Sequence, residues 1–195
     1  MRNFQFKSVK KVSYVVLVAA VSLTACGQQK TKSNEKATAK TEVKAPDMAL
    51  QAAVVTGNLD VVKQHIAAGT DLNEKDALSG ATPLITAITF DKNDIAQALI
   101  NADANLAIKN NDGSTALHVA AFFCRVEAVQ MLMDAGADKT IKNNYGATPR
   151  ETVMGPFEDI KPIYEMMQQQ LAPIGLNLDM DEVEKTRPVV AMMLQ

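Results

Sequence analysis

The chain has 195 residues, of which 47% are hydrophobic and 22% charged, and its formal net charge is −2. These values lie close to the averages of globular proteins, so they argue against wholesale disorder and against a protein with several membrane spans. The length suits one modest domain with appendages. Two cysteines are too few for a disulfide framework, so we expect stability to come from packing.

The amino terminus has the pattern of a secretory signal. Four basic residues and no acidic one occur in the first eleven positions, and an apolar run from 12 to 21 follows, interrupted only by Ser13. This order is typical of a signal peptide. The run is shorter than the roughly 20 apolar residues that a permanent span needs. We therefore expect residues 1–25 to be removed by cleavage between Ala25 and Cys26.

The cleavage region ends in Leu23-Thr24-Ala25-Cys26, which resembles the lipobox of bacterial lipoproteins. The resemblance implies that Cys26 carries a diacylglyceryl thioether and an acylated amino group. Several acyl chains anchor a protein stably, because each buried methylene contributes about 0.8 kcal/mol. Gly27 follows the cysteine in place of aspartate, and the sorting rule of Gram-negative lipoproteins then implies the periplasmic face of the outer membrane. The alternative is an ordinary signal peptide in which Cys26 is incidental.

Residues 26–46 have the composition of a linker. The stretch from 27 to 46 contains five lysines, two glutamates and no aromatic residue. Such a stretch has almost nothing to bury, so we interpret it as a flexible, lipid-anchored tether. The alternative is that its lysines contact anionic lipid headgroups.

Glycines recur at a fixed period in the middle of the chain. Gly80, Gly113 and Gly146 are 33 residues apart and open the related phrases GATPL, GSTALHVA and GATP. A second set of phrases, around residues 69–73, 103–105 and 136–138, is in phase with the first. The period and the phrases resemble the T-P-L-H-x-A signature of ankyrin repeats.

The resemblance implies an all-α fold, an ankyrin solenoid of about three to four helix-turn-helix repeats with a helical C-terminal cap. We place the repeats within residues 47–150, at about 47–79, 80–112 and 113–145, with a capping unit from Gly146. Glycine suits the hairpin tips, and Thr-Pro suits the start of a helix. No unit can bury its apolar face alone, so neighbouring units must stack.

Residues 151–195 are predicted to form a helical extension over the last repeat. Gly155-Pro156 interrupts the inner helix of the capping unit, and 157–172 has the pattern of an amphipathic helix that ends at Pro173. We expect an extended segment at 174–178. Two short helical pieces are predicted around 181–185 and 189–194.

The ankyrin resemblance implies that a protein partner binds at the hairpin fingertips and on the concave side of the inner helices. The positions that match this surface include four of the six aromatic residues outside the signal peptide. The proposed contact residues are Leu78, Phe90, Asn111, Asp112, Phe122, Phe123, Asn144 and Tyr145. Exposed aromatic side chains are common anchors of protein interfaces. The alternative is that Phe122 and Phe123 pack against the outer helix or the cap.

The charge of the folded part argues against a nucleic acid as partner. Residues 47–195 contain eleven basic and twenty acidic side chains, a net charge of −9, which disfavours contact with phosphates. A basic protein surface would be attracted, although an acidic balance is also a common route to solubility.

Few residues are suited to catalysis or to metal binding. His118 is at the signature's own histidine position, which implies a bond to neighbouring backbone, and we expect His65 at the surface of an outer helix. No phosphate-binding loop, nucleophile elbow or C-x-x-C pair is present. We therefore predict no catalytic residue, no metal site and no cofactor. Cys124 stands where Gly57 occurs in the first repeat, and we expect a buried or half-buried thiol.

The sequence thus predicts a monomeric, non-enzymatic binding module of the cell envelope. Lipidated ankyrin proteins resemble both immunity proteins that neutralise secreted toxins and accessory factors of periplasmic enzymes, and the sequence does not choose between these roles. One alternative is a periplasmic metal or redox protein that uses the ten methionines and Cys124. Another is a purely structural spacer.

Overall fold

The computed structural model describes residues 44–195, and every regular element in that range is helical. The predicted signal peptide, the lipobox-like motif with Cys26 and almost all of the predicted linker lie outside the described residues. The eight α-helices of the described range are α1 (Leu50–Val55), α2 (Leu59–Ala67), α3 (Pro83–Thr89), α4 (Asn93–Asn101), α5 (Ala116–Phe122), α6 (Val126–Asp134), α7 (Phe157–Leu171) and α8 (Met180–Met193). None of them is both long and apolar enough to cross a membrane.

The first six helices form three antiparallel pairs that stack side by side. The inner helices α1, α3 and α5 pack in one row, and the outer helices α2, α4 and α6 pack in a second row. Each helix is short, and most of its stability must come from the apolar face that it buries against its neighbours. The arrangement confirms the predicted all-α solenoid.

The core is a continuous layer of aliphatic side chains contributed by successive repeats. Leu84, Ile88, Leu99, Leu117 and Leu132 are each 1% exposed or less. Replacing a buried leucine of this kind by alanine costs about 2–5 kcal/mol, because a cavity is left behind. The stack is therefore held by aliphatic contacts both within each helix pair and between neighbouring repeats.

The inner helices α3 and α5 begin at threonines that cap them, whereas α1 begins after Ala49, which offers no side-chain cap. The side chain of Thr82 accepts a hydrogen bond from the amide of Ile85 at 3.3 Å, and Pro83 occupies the first turn, where an amide would lack a helical partner. In the capping unit, Glu151 accepts from the amide of Thr148 at 2.7 Å. Such caps contribute about 1 kcal/mol each and mark where the helix starts.

The turn between inner and outer helix requires a left-handed residue in every repeat. Gly57, Asp91 and Cys124 occupy it with φ of 73°, 55° and 54°. Aspartate tolerates this conformation because its short polar side chain can bond locally, whereas cysteine does not gain that compensation. Cys124 is therefore held in an unfavourable backbone conformation by the packing around it.

The tail completes a fourth repeat of altered form. A 3-10 turn at Glu151–Val153 packs against α5, where an inner helix would lie, and α8 packs against α6, where an outer helix would lie. Residues 157–178, including α7, are thus inserted between the two halves of this unit. The prediction of a helical C-terminal cap is confirmed.

The prediction of two short helices near the end of the chain was wrong. One helix, α8, runs from Met180 to Met193 and contains Pro188 in its interior. A proline inside a helix costs about 3 kcal/mol, because it removes one amide donor and its ring crowds the carbonyl four residues earlier. Val183, Arg187 and Val190 are buried on both sides of that point, and this burial outweighs the lost bond.

Candidate protein-binding surface

The three hairpin tips are built by the same local hydrogen bond. A carboxylate or amide oxygen of Asp76, Asn110 and Asn143 accepts from the amide two residues later, at 2.9 to 3.0 Å. This turn is a common side-chain mimic of a backbone turn. In each turn, the residue that donates this amide lies at the tip of the loop. These residues are Leu78, Asp112 and Tyr145.

Two of these three side chains are apolar and open to solvent. Leu78 is 93% exposed and Tyr145 is 78% exposed, and Asp112 at the tip between them is exposed as well. Tyrosine is among the commonest anchors of protein interfaces, and exposed apolar side chains that lie together mark interaction surfaces. The structure thus places three of the eight predicted contact residues in an exposed row, which we call the fingertip row.

Two further predicted contact residues connect neighbouring fingertips. The side-chain nitrogen of Asn111 donates to the carbonyl of Leu78 at 2.9 Å, and that of Asn144 donates to the carbonyl of Asn111 at 2.9 Å. Their backbone amides donate to the preceding loop as well. Both residues are exposed, but their amide groups already bind within the protein, so their main effect is to hold the loops in register.

The hydrogen bonds of Asn111 and Asn144, which we call the asparagine ladder, also explain why glycine occurs at two of the periodic positions. Gly80 and Gly113 have φ of 68° and 73°, a region that side chains disfavour. A Cβ atom at Gly80 would clash with the side chain of Asn111, and one at Gly113 would clash with that of Asn144. Glycine is therefore needed at these positions for the backbone conformation and for the space.

The prediction that three phenylalanines are exposed contact anchors was wrong. Phe90 and Phe123 are 8% and 4% exposed. Phe122 is half-buried, with its ring centroid 5.1 Å from that of Phe123 and 4.7 Å from that of Tyr164. The predicted helix at 157–172 is present as α7, but the sequence did not reveal that it would cover Phe122 at the end of α5. The alternative, in which Phe122 packs against the cap, describes the structure.

A buried tyrosine joins the tail to the third repeat. The Tyr164 hydroxyl is fully enclosed, donates to the carbonyl of Phe122 at 2.5 Å and accepts from Arg187 Nη1 at 3.1 Å. Burial raises the pKa of Tyr164 to about 12. Arg187 in turn donates from Nη2 to the carbonyl of Gly155 at 3.0 Å. These bonds fix α7 and α8 against the repeats.

The two histidines are structural. His118 is buried, its Nδ1 accepts from the amide of Thr115 at 3.2 Å, and its Nε2 therefore donates to the carbonyl of Ala147 at 3.1 Å. Burial lowers the pKa of His118. The expectation of a surface position for His65 was wrong, because it is 4% exposed and its Nε2 lies 2.7 Å from the carbonyl of Met48, just before α1.

The structure does not assemble a thiol and thioether site among residues 44–195. Cys124 is 9% exposed, and burial raises the pKa of its thiol to about 11, so the thiolate is disfavoured. The cavity beside Cys124, about 220 Å³ in volume, has no methionine in its wall, whereas Met154 and Met192 line a separate groove. In the same range, no group of three or more His, Cys, Asp or Glu side chains is placed to hold a metal ion.

Comparisons with known proteins agree with this geometry. The family model of ankyrin repeats, in three copies, matches residues 50–143. The ankyrin repeat domain of Bcl-3, described as a unique member of the IkappaB protein family, is 32% identical and superposes with a TM-score of 0.52. The match covers 53% of this chain and 45% of that one, so the chain spans less than half of the length of that domain.

The breadth of the structural match limits what it says about function. The structure matches 443 chains of known structure. A search of curated proteins found no match to this chain. Ankyrin repeats suggest a module for protein–protein interaction. Because so many chains share the fold, the match does not identify one partner. The chain therefore contains three ankyrin repeats and folds as a helical ankyrin solenoid with a helical cap.

Proposed function

We propose that this protein is a membrane-anchored ankyrin scaffold that holds or inhibits one protein partner in the bacterial cell envelope. The observation that carries the proposal is the fingertip row of Leu78, Asp112 and Tyr145, two apolar side chains flanking an acidic one. Ankyrin repeats generally mediate binding between proteins, and this fold is typically a scaffold without catalytic activity.

The rigidity of the fingertip row supports this role. The ladder from Asn144 through Asn111 to the Leu78 carbonyl links three successive loops. Loops that are ordered before a partner arrives lose less conformational entropy on binding. We therefore expect the loops of the fingertip row to change little in conformation when a partner binds.

The anchor is the second part of the proposal. The lipobox-like Leu23-Thr24-Ala25-Cys26 would attach acyl chains to Cys26, and Gly27 favours the periplasmic face of the outer membrane. The linker of residues 26–46 would keep the solenoid at a distance from the bilayer. The partner would then be an envelope or secreted protein, either a toxin that is neutralised or an enzyme that is assisted.

Mass spectrometry of protein purified from bacterial membranes tests the anchor. We expect a mature chain that starts at Cys26 and carries the mass of three acyl chains and a glyceryl group. A Cys26→Ser variant should lose this mass and leave the membrane fraction. A wild-type chain without acyl groups, cleaved before Cys26 or elsewhere, would overturn the anchor.

Affinity capture with paired variants tests the binding surface. Leu78→Ala and Tyr145→Ala should each weaken partner capture, because truncating an interface anchor costs about 2 kcal/mol or more. Ile174→Ala is the matched control, since Ile174 is also apolar and 52% exposed but lies in the tail. Equal recovery of every captured protein by all four chains would count against the fingertip row.

A further inference from the structure

A second groove lies at the end of the solenoid, between the Glu151–Val153 turn and the second half of α8. Its volume is about 380 Å³, which is within the range of ligand sites in proteins. Met154, Phe157 and Met192 form much of its apolar wall. Met154 is 53% exposed and Met192 is 61% exposed, so both sulfur-bearing side chains are open to an incoming group.

Two arginines line the same groove without an acidic partner. Arg187 is 4% exposed, and its two hydrogen bonds go to neutral groups, the Tyr164 hydroxyl and the Gly155 carbonyl. Arg150 donates from Nε to the carbonyl of Ala191 at 3.1 Å. Neither arginine forms an ion pair with a carboxylate of residues 44–195. Buried charges are usually paired, because removal from water is costly.

The charge of the groove differs from that of the folded part as a whole. The charged side chains in its wall are Arg150, Arg187 and the exposed Glu184, which sum to +1, and Gln195 also lines it with its backbone oxygen bound by Lys139 Nζ. Residues 47–195 together carry a net charge of −9. The groove is therefore a local cationic site with an apolar wall in an acidic protein, and the two hydrogen bonds of Arg187 use only two of the five N–H groups of a guanidinium.

We propose that this groove binds the free carboxyl terminus of a protein partner. The terminal carboxylate would lie against Arg150 and Arg187, since the guanidinium fork matches the geometry of a carboxylate. The last apolar side chain of the partner would pack against Met154, Phe157 and Met192. This site does not include Leu78 or Tyr145, so it goes beyond the fingertip row and does not depend on it.

Fluorescence anisotropy with a labelled peptide tests the proposal on the full chain. The probe is Gly-Ser-Gly-Ser-Leu-Phe with a fluorophore on its amino terminus and a free carboxyl terminus, and the matched probe has a carboxamide instead. We expect saturable binding of the acid, with about tenfold weaker binding of the amide, because only the acid carries the charge that the arginines meet. Dodecanoate is added as a competitor to represent a lipid source.

Three variants complete the experiment. Met192→Glu places a like charge at the exposed rim and should abolish peptide binding without disturbing the fold, and Arg187→Met should do the same where circular dichroism shows a folded chain. Lys185→Gln, on the same helix but outside the groove, should bind as the wild type does. Equal binding of acid and amide, unchanged binding by Met192→Glu, binding of dodecanoate alone, or no saturation below about 1 mM peptide would overturn the proposal.

Discussion

The hydroxyl of Tyr164 donates a hydrogen bond to the backbone carbonyl of Phe122, 42 positions earlier in the chain. The two aromatic rings are also in contact, with centroids 4.7 Å apart. This pair attaches the inserted helix α7 to the last full repeat. It also explains why Phe122 is not available as a partner contact, since the tail occupies the surface that a partner would use.

Replacing Tyr164 by phenylalanine tests the contribution of that hydroxyl. The variant leaves the Phe122 carbonyl and one Arg187 donor without their partner in a buried place, so we expect a loss of about 1–3 kcal/mol in the free energy of unfolding. Urea denaturation measures it. Tyr145→Phe is the matched control, because Tyr145 is 78% exposed, and it should change stability by less than about 0.5 kcal/mol. Equal effects of the two variants would show that the buried bond contributes nothing.

A glycine pair separates backbone strain from steric clash in the asparagine ladder. Gly113→Ala and Gly136→Ala both place a Cβ at positive φ, 73° and 80°, which costs about 1–2 kcal/mol. Only the Cβ at position 113 also meets neighbours, the side chain of Asn144 and the backbone nitrogen of the same residue at 2.7 Å. Gly113→Ala should therefore destabilise the protein more than Gly136→Ala.

A double variant checks the source of that difference by thermal or urea unfolding. In the presence of Asn144→Ala, the cost of Gly113→Ala should fall but stay above that of Gly136→Ala, since the clashing side chain is gone whereas the backbone nitrogen of residue 144 remains. If the cost of Gly113→Ala is the same with and without the Asn144 side chain, that side chain does not contribute to the requirement for glycine at this position.

The Cys124 thiol should react slowly in the folded protein. Burial raises its pKa to about 11 from an ordinary value of 9.0, so at pH 8 the thiolate population is lower by on the order of a hundredfold. We expect reaction with an aromatic disulfide reagent to be at least that much slower in buffer than in urea. A Ser79→Cys variant supplies an exposed thiol as the control, and comparable rates at both positions in buffer would contradict the buried state of Cys124.

His118 should make the protein less stable as the pH falls through the titration range of histidine. Its pKa is lowered in the folded state by burial, so the unfolded chain binds the proton more readily, and stability decreases as pH falls below the ordinary histidine pKa of about 6.5. The contribution is fully present above that pH. Unfolding at pH 7.5 and 5.5 measures it. In a His118→Gln variant, this part of the pH dependence should disappear, and an unchanged dependence would assign it to other groups.

The solenoid was predictable because its signals are local and repeated. Gly80, Gly113 and Gly146 lie at turns with positive φ, and a threonine two residues later precedes a helical segment. These local signals indicate where each unit after the first one begins. Leu78, Asp112 and Tyr145 could be placed at the fingertips because each lies one or two positions before one of these glycines. The lipobox-like motif that ends at Cys26 is equally local, since it consists of four consecutive residues, and the lipid anchor that it implies stays a prediction.

The environment of the remaining residues depends on contacts between distant parts of the chain. Phe122 looks like an exposed position of an inner helix until α7 places Tyr164, 42 residues later, over it. The ring of His65 is buried because the segment before α1 packs on it, with the Met48 carbonyl at its Nε2. Arg187 is a buried cation because α8 packs where its guanidinium reaches the Gly155 carbonyl. The sequence by itself determined the repeat, its turns and its helix starts, whose causes lie within a few residues. Only the tertiary structure decided which side chains the non-repetitive tail covers, because burial is a property of packing between segments and no short motif encodes it.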